Sequence, residues 1–267
     1  MEMRGGTMMI KKPDKYASAA ILLMVGAISL IATALISNLG EFITAAFVIS
    51  GTVCALTGIF ILTFTRGETV DPRYFGILAA QWGKNMYDIE TDLGIQGIAY
   101  FLPPRITGES QVLQFNPTLA YTGGPVSAKK PFSRTEPTGL IITPCCDPWI
   151  QDLRKRHALV IPAKEEELII LINEIMGDIF EFAHRVSGTC RDKTTITLTF
   201  HNYKFIDGCK AIAQKSGNFC SMSPCPVCCL CGVLIAEGTD TVVTLDKCSI
   251  NSSSRDVTVV FSMRPFP

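Results

Sequence analysis

Five cysteines fall within thirteen residues in "CSMSPCPVCCLCG", which runs from Cys220 to Gly232. Cys225-x-x-Cys228 has the spacing that thiolate ligands use around zinc or an iron–sulfur cluster. The same pair at a helix start would carry a thiolate stabilised by free backbone N–H groups, which suits redox chemistry. A third reading is structural. Ser223–Pro224 can open a helix, Cys225, Cys228, Cys229 and Gly232 then share one face, and free cysteine is a small apolar residue that is often buried. The sequence holds no second, separate Cys-x-x-Cys pair at a suitable distance, and Cys209, Cys220 and Cys248 stand singly, as do His184 and His201. A thioredoxin-like motif would also follow a strand in a βαβ unit, which this late segment does not. The metal candidates are therefore Cys220, Cys225, Cys228 and Cys248, with zinc or an iron–sulfur cluster as the cofactor they would hold. Burial of the cysteines is the competing expectation.

Other chemistry is thinly marked. No glycine-rich phosphate loop is present, since "GIQG" lacks the spacing and context. Cys145–Cys146 precedes a helix start and could be acidified there, although a tight turn of small residues is the simpler reason for the pair. Asp88, Glu90 and Asp92 read as a solvated helix face. No motif marks a serine or cysteine nucleophile. Lysine plus arginine balance aspartate plus glutamate, 24 against 24, so no overall field would draw nucleic acid. Eleven cysteines in a chain of 267 residues include adjacent pairs, which fits a reducing compartment better than a disulfide framework.

The mean hydropathy of +0.30 comes from one region. Residues 17–37 and 43–64 carry no charge, and each run is long enough to cross a hydrocarbon core of roughly 30 Å. The short link "NLGEF" makes them a hairpin. On the second run Ala46, Ser50, Cys54 and Gly58 recur every four residues, with Gly51 and Ala55 beside them, a stripe through which helix backbones can approach. The hairpin seam and a homodimer contact are its two uses. Arg4, Lys11, Lys12 and Lys15 precede the first run, Arg66 and Arg73 follow the second, and the link has only Glu41. The positive-inside rule then predicts a multi-pass protein of the cell membrane with both termini in the cytoplasm. A signal peptide cleaved near Ala32–Ala34 is the alternative, and the second run would then stop transfer. The expected organisation is a basic tail over 1–16, a transmembrane hairpin over 17–65 and a cytosolic domain over 71–267.

Asp71–Pro72 opens a helix in which Phe75, Leu78, Trp82, Met86, Ile89 and Leu93 follow 3,4 spacing. "GIAYFLPP", "SQVLQF" and "GLIITP" read as short strands, and 116–137 as a loop. Asp147–Pro148 opens a second helix ending in "RKRH", whose charges suit a helix C-terminus or anionic headgroups. "KEEELIILINEIMGDIFEFAHRV" predicts a long core helix with Leu168, Ile172, Ile175, Ile179 and Phe182 on one face, widened by Ile169 and Met176. "TTITLTF" predicts a strand, 205–214 a short helix, and "TVVTLDKC" with "DVTVVFSM" a hairpin. The Asn251 sequon would go unmodified in the cytosol. The order of elements predicts an α+β domain with a mostly antiparallel sheet and packed helices.

"SPCPVCCLCGVLIAEGTDTVVTLDKCSI", "DVTVVFSM", "LGIQGIAYFLPP" and "TGLIITPCCDPWIQDL" together resemble an uncharacterised family of archaeal two-span membrane proteins found in methanogens and halophiles. The resemblance covers most of 71–264. More remotely, the C-terminal part is similar to 4-vinyl-reductase-type domains, small-molecule sensor modules. Those carry E-x-x-C and a second cysteine in the last strand. Cys248 stands where the first of these cysteines would be, but Leu245 occupies the acid position and the last strand has no cysteine. A site of that kind would therefore centre on Cys225 or Cys228 with Cys248. The expected function is a membrane-anchored binding or sensory domain whose partners are the lipid bilayer and a small molecule or protein. A metal- or thiol-redox sensor using residues 220–231 is the alternative, and an enzyme has the least support.

Overall fold

The computed structural model describes residues 15–36, 40–64, 71–95, 97–127, 131–133, 137–214 and 219–265. The chain divides into two compact units, Met1–Val70 and Asp71–Pro267. Arg4, Lys11, Lys12 and Arg66, and the tail to residue 14, lie outside the described residues.

The first unit is two helices, α1 (Lys15–Ile36) and α2 (Glu41–Phe64), each long and apolar enough to cross a membrane. They pack antiparallel. Gly51 lies against the carbonyl of Ala27, and Gly58 against that of Ala20; an added Cβ would stand 3.1 and 3.2 Å from those oxygens. Ala20, Ala27 and Ala34 are buried on α1 at seven-residue spacing, as Gly51 and Gly58 are on α2. Small residues repeating by sevens keep a close seam facing the partner helix. Cys54 and Ala55 are half-buried beside it, whereas Ala46 and Ser50 are exposed within this unit. The four-residue stripe of the sequence thus drifts off a seam that repeats by sevens. Hydroxyls of Ser29, Thr33, Thr52, Thr57 and Thr63 donate to their own i−4 carbonyls at 2.8–3.0 Å. That leaves no hydroxyl of this set unsatisfied in apolar surroundings.

The second unit is α+β. Its helices are α3 (Pro72–Asp92), α4 (Pro104–Thr107), α5 (Asp147–Arg156), α6 (Glu165–Asn173), α7 (Ile206–Ala213), α8 (Phe219–Met222) and α9 (Pro226–Thr239). Its strands are β1 (Tyr100–Leu102), β2 (Leu113–Pro117), β3 (Phe132–Ser133), β4 (Gly139–Ile142), β5 (Arg185–Arg191), β6 (Thr195–His201), β7 (Val242–Asn251) and β8 (Asp256–Arg264). They form one antiparallel sheet in the order β3-β4-β2-β1-β7-β8-β6-β5.

α9 is buried from Val227 to Ala236 and is apolar all round, as a helix enclosed on every side must be. Phe101, Val243, Leu245, Val259, Phe261, Ile196 and Leu198 meet it and α6 in the main core. Tyr100 and Leu102 point the other way into a second cluster with Phe115, Tyr121 and Ile141, so β1 is buried on both faces.

Two sequence expectations are corrected. The long helix does not run through to Val186. α6 passes into one π-helical stretch, Glu174–Ile179, and the chain reverses with Glu181 at φ +51°. Asn173 Oδ1 then accepts the N–H of Val186 at 2.7 Å, which fixes the start of β5. Gly188 in β5 lets Ile169 and Leu198 close over it. Leu168, Ile172, Ile175 and Met176 are buried as a core face should be, while Ile179 and Phe182 are only half-buried.

The second correction concerns α3. The helix forms, but it buries its small face, Gly76, Ala80 and Gly83, with Glu90. Gly76 meets Gly208 of α7 so closely that a Cβ on Gly208 would stand 2.7 Å from the Gly76 carbonyl. Backbone contact at a Gly–Gly crossing selects the small face. Leu78, Trp82, Ile89 and Leu93 are left exposed.

Candidate functional site

Nine of the eleven cysteines belong to the elements around the N-terminal end of α9. Cys225 is the residue before the helix, extended at φ −66° and ψ 161°, with Pro226 in the first helical position. Its carbonyl accepts the Cys229 N–H at 2.8 Å. Cys228, one turn along, is buried.

Cys248 reaches the same place through a bulge. Along β7 the pairing runs Leu245↔Phe261 and then Lys247↔Val260, so Asp246 is the extra residue. Without it Cys248 would face away from α9. With it Cys248 pairs with inward-facing Val259. The bulge is held by hydrogen bonds. Thr244 Oγ1 donates to Asp246 Oδ1 at 2.8 Å, Ser262 Oγ donates to the other carboxylate oxygen, and Ser221 Oγ donates to the Asp246 carbonyl at 3.3 Å. Ser221 is the neighbour of Cys220 on α8, so the same contact brings that thiol in.

The four thiols form a continuous string. Cys220 contacts Cys248, Cys248 contacts Cys228, and Cys228 contacts Cys225. Cys209 of α7 feels the charges of Cys225 and Cys248. The thiols are unequal. Contacts from Cys220 and then Cys228 pull Cys248 below the ordinary thiol range. Contact from Cys228, with the backbone N–H groups of Cys228 and Val227, pulls Cys225 down against the opposing effect of burial. Cys228 and Cys220 are pushed up as the proton-giving partners. Burial raises Cys209 and Cys231.

All are free thiols. As the side chains stand, no group of three or more His, Cys, Asp or Glu among the described residues is arranged to hold a metal ion. The string therefore brings four ligand-type side chains into contact without converging them on one point. An apolar crevice of about 20 Å³, lined by residues including Phe75, Ala80, Tyr203, Cys209, Cys225 and Val227, opens onto this thiol group.

A second thiol group lies on the other side of α9. Cys229 contacts Cys145 and Cys146 of the turn before α5, and its Sγ lies 3.8 Å from Gln114 Oε1. Gln114 donates to Asn116 at 2.9 Å, and Asn116 to the Met222 carbonyl at 2.6 Å. This buried polar chain is satisfied along its length and ties α9, β2 and α8 together. Cys145 is not acidified: contact with Cys229 and burial both push it up.

Two arrangements were not legible in the sequence. Ser187 Oγ lies 2.8 Å from His201 Nε2, and His201 Nδ1 lies 3.3 Å from Asp256 Oδ2, whose other oxygen accepts the Asn202 N–H at 3.1 Å. His201 is thus not isolated. An acyl-transfer site also needs donors aimed at an oxyanion and a cleft for substrate. Ser187 stands in mid-strand on the open face of the sheet, where such contacts are cross-strand polar pairs. The second is Glu90. Asp88 and Asp92 are exposed as expected, but Glu90 is 0% exposed and neither carboxylate oxygen has a hydrogen-bond partner. Burial pushes its pKa up to about 8.

No protein-family model, no curated protein and no solved structure matches the chain. The site must be read from its own geometry.

Proposed function

We propose that this chain is a membrane-anchored sensory module whose ligand is a single thiophilic metal ion, zinc first among them, held by Cys220, Cys225, Cys228 and Cys248. The observation that supports this reading is the thiol string itself. Three separate elements and a β-bulge deliver four thiols to one another, where packing alone needs only small apolar side chains. Of these four thiols only Cys225 lines the apolar crevice of about 20 Å³, so the ion would sit among the thiols themselves rather than in that crevice. To bind zinc the four side chains would have to converge from the string into a tetrahedral set, with Zn–S distances near roughly 2.3 Å. Binding would deprotonate the thiols, so affinity should rise with pH, with Cys248 and Cys225 giving up their protons first.

In this reading α1 and α2 are two membrane spans. The basic residues on both flanks of the hairpin support a topology with the two termini and the α+β unit in the cytoplasm, where thiols stay reduced. The resemblance of most of 71–264 to archaeal two-span proteins, and the remoter one of the C-terminal part to small-molecule sensor domains, fit the same assignment. In the latter, Cys248 again falls at a cysteine position.

The full chain, purified without oxygen in detergent, should take up zinc in competition with a chromophoric chelator. The double substitution of Cys225 and Cys228 by serine should weaken that uptake by more than about 100-fold, a larger loss than outer-shell changes cause. Cys220→Ser, at a half-exposed position, is the milder second variant and should also weaken uptake. Cys146→Ser in the other thiol group should not. Equal uptake by all four proteins would place the ion elsewhere. A wild-type chain that takes up none, with thiols unreactive until unfolding, would make the cysteines packing residues.

A further inference from the structure

We infer that α3 is an interfacial helix whose apolar face rests on the lipid surface. Tyr74, Ile77, Leu78, Trp82 and Ile89 of α3 are between 51% and 70% exposed, and Leu93, just past its last residue, is 43% exposed. Leu78, Trp82, Ile89 and Leu93, spaced 4, 7 and 4 apart, fall within roughly 60° of arc at 3.6 residues per turn. So large a continuous apolar stripe is unusual on a face left to water. It is not there for want of an alternative, because the opposite face carries the Gly–Gly crossing with α7 that fixes the helix in the fold.

Three features select lipid as the occupant. Seven residues, 65–71, separate α2 from α3, a tether of at most about 25 Å from a helix apolar enough to span the bilayer. The stripe includes Trp82 and has Tyr74 at its border, the residue types that settle at headgroup level. Gln81, Asn85, Asp88 and Asp92 follow one edge of the stripe, so the helix has a polar side to keep in water while the stripe enters the acyl boundary. The stripe itself has no basic residue, so attraction to anionic lipid is not the driving force. The inference rests on α2 being a span.

Trp82 and Trp149 are the two tryptophans of the chain. Trp149 packs against Phe75, Phe180 and Phe182 in the core side of the unit. The full chain with Trp149→Phe should be reconstituted into phosphatidylcholine vesicles with brominated acyl chains. At least half of the Trp82 emission should be lost, and equally so when phosphatidylglycerol is included. Wild-type and Trp82→Phe proteins serve as a second pair if Trp149→Phe fails to fold, with the brominated-lipid quenching confined to the protein that retains Trp82. Quenching of Trp82 by aqueous iodide but not by bromolipid would overturn the inference. Protection from both would do so as well, since it would mean a protein cover such as a second copy. A chain that leaves the vesicles in alkaline carbonate would overturn the spans and the inference together, whereas retained protein without bromolipid quenching overturns only the inference.

Discussion

Glu90→Met should stabilise the protein by about 3 to 4 kcal/mol at pH 7.5, the expected value of some three pKa steps at 1.36 kcal/mol each. The carboxyl is fully buried with no hydrogen-bond partner, and burial raises its pKa from the ordinary 4.5 to about 8. The folded state therefore keeps the proton after the unfolded chain has lost it. Where the folded state binds more protons, stability falls as pH rises. The contribution of Glu90 is undiminished below pH 4.5, is lost progressively between 4.5 and about 8, and changes no further above that. Methionine has a similar volume and no charge to bury. Thermal unfolding of the full chain in detergent should show a midpoint about 10 °C higher in the variant at pH 7.5, and little difference near pH 4.5. A midpoint difference that is the same at both pH values would show that Glu90 does not titrate in this way.

Gly232→Ala should destabilise the α+β unit by about 3 kcal/mol, at the upper end of overpacking costs. In a free helix the same change would gain roughly 1 kcal/mol, because glycine is a poor helix former. Here α9 lies so close to β1 that a Cβ at this position would meet three ring carbons of Phe101 well inside van der Waals contact. Phe101 is completely buried between the ladders to β2 and β7 and cannot yield. Gly232→Ala combined with Phe101→Leu should be less destabilised than the two single changes summed, by about 1 kcal/mol or more, as expected for residues in contact. Strict additivity would show that the two do not touch. Gly232 is also one turn from Cys228 and Cys229, so the single substitution should displace the thiol string and weaken metal uptake.

Local signals in the sequence located most elements of the α+β unit. Asp147–Pro148 marks the start of α5, although Cys146 and not Asp147 holds the cap position, and α9 begins at Pro226, two residues later than Ser223–Pro224 suggests, with Cys225 at the cap; neither helix has a side-chain cap hydrogen bond. β-branched alternation marks β6, β7 and β8, and the antiparallel sheet with packed helices follows from their order. What was not legible depends on contacts between distant residues. The π-helical end of α6 lies within an unbroken apolar pattern, and β5 is a glycine-containing edge strand that periodicity does not separate from it. The face of α3 is chosen by two glycines, Gly76 and Gly208, that carry no hydropathy signal. Ser187, His201 and Asp256 sit on three strands and meet only through sheet register.

For the thiols, the sequence supplied the four residue numbers but not their geometry. Cys225 and Cys228 are adjacent by helical spacing alone. Cys248 joins them because one extra residue at Asp246 shifts the strand's alternation, and Cys220 because Ser221 holds that bulge. Simple alternation from Val243 and Leu245 would have turned Cys248 outward. A bulge leaves no simple signature in sequence, although an aspartate between two inward-facing runs is the trace to look for.

The central claim is that these four thiols hold one metal ion, and X-ray absorption at the zinc edge tests it most directly. The full chain, purified without oxygen and loaded with one equivalent of zinc, should show a first shell of sulfur only, near about 2.3 Å. That shell should lose sulfur when Cys225 and Cys228 are replaced by serine. A first shell of nitrogen and oxygen, or no retained zinc after desalting, would contradict the account and leave the cysteines as packing around α9.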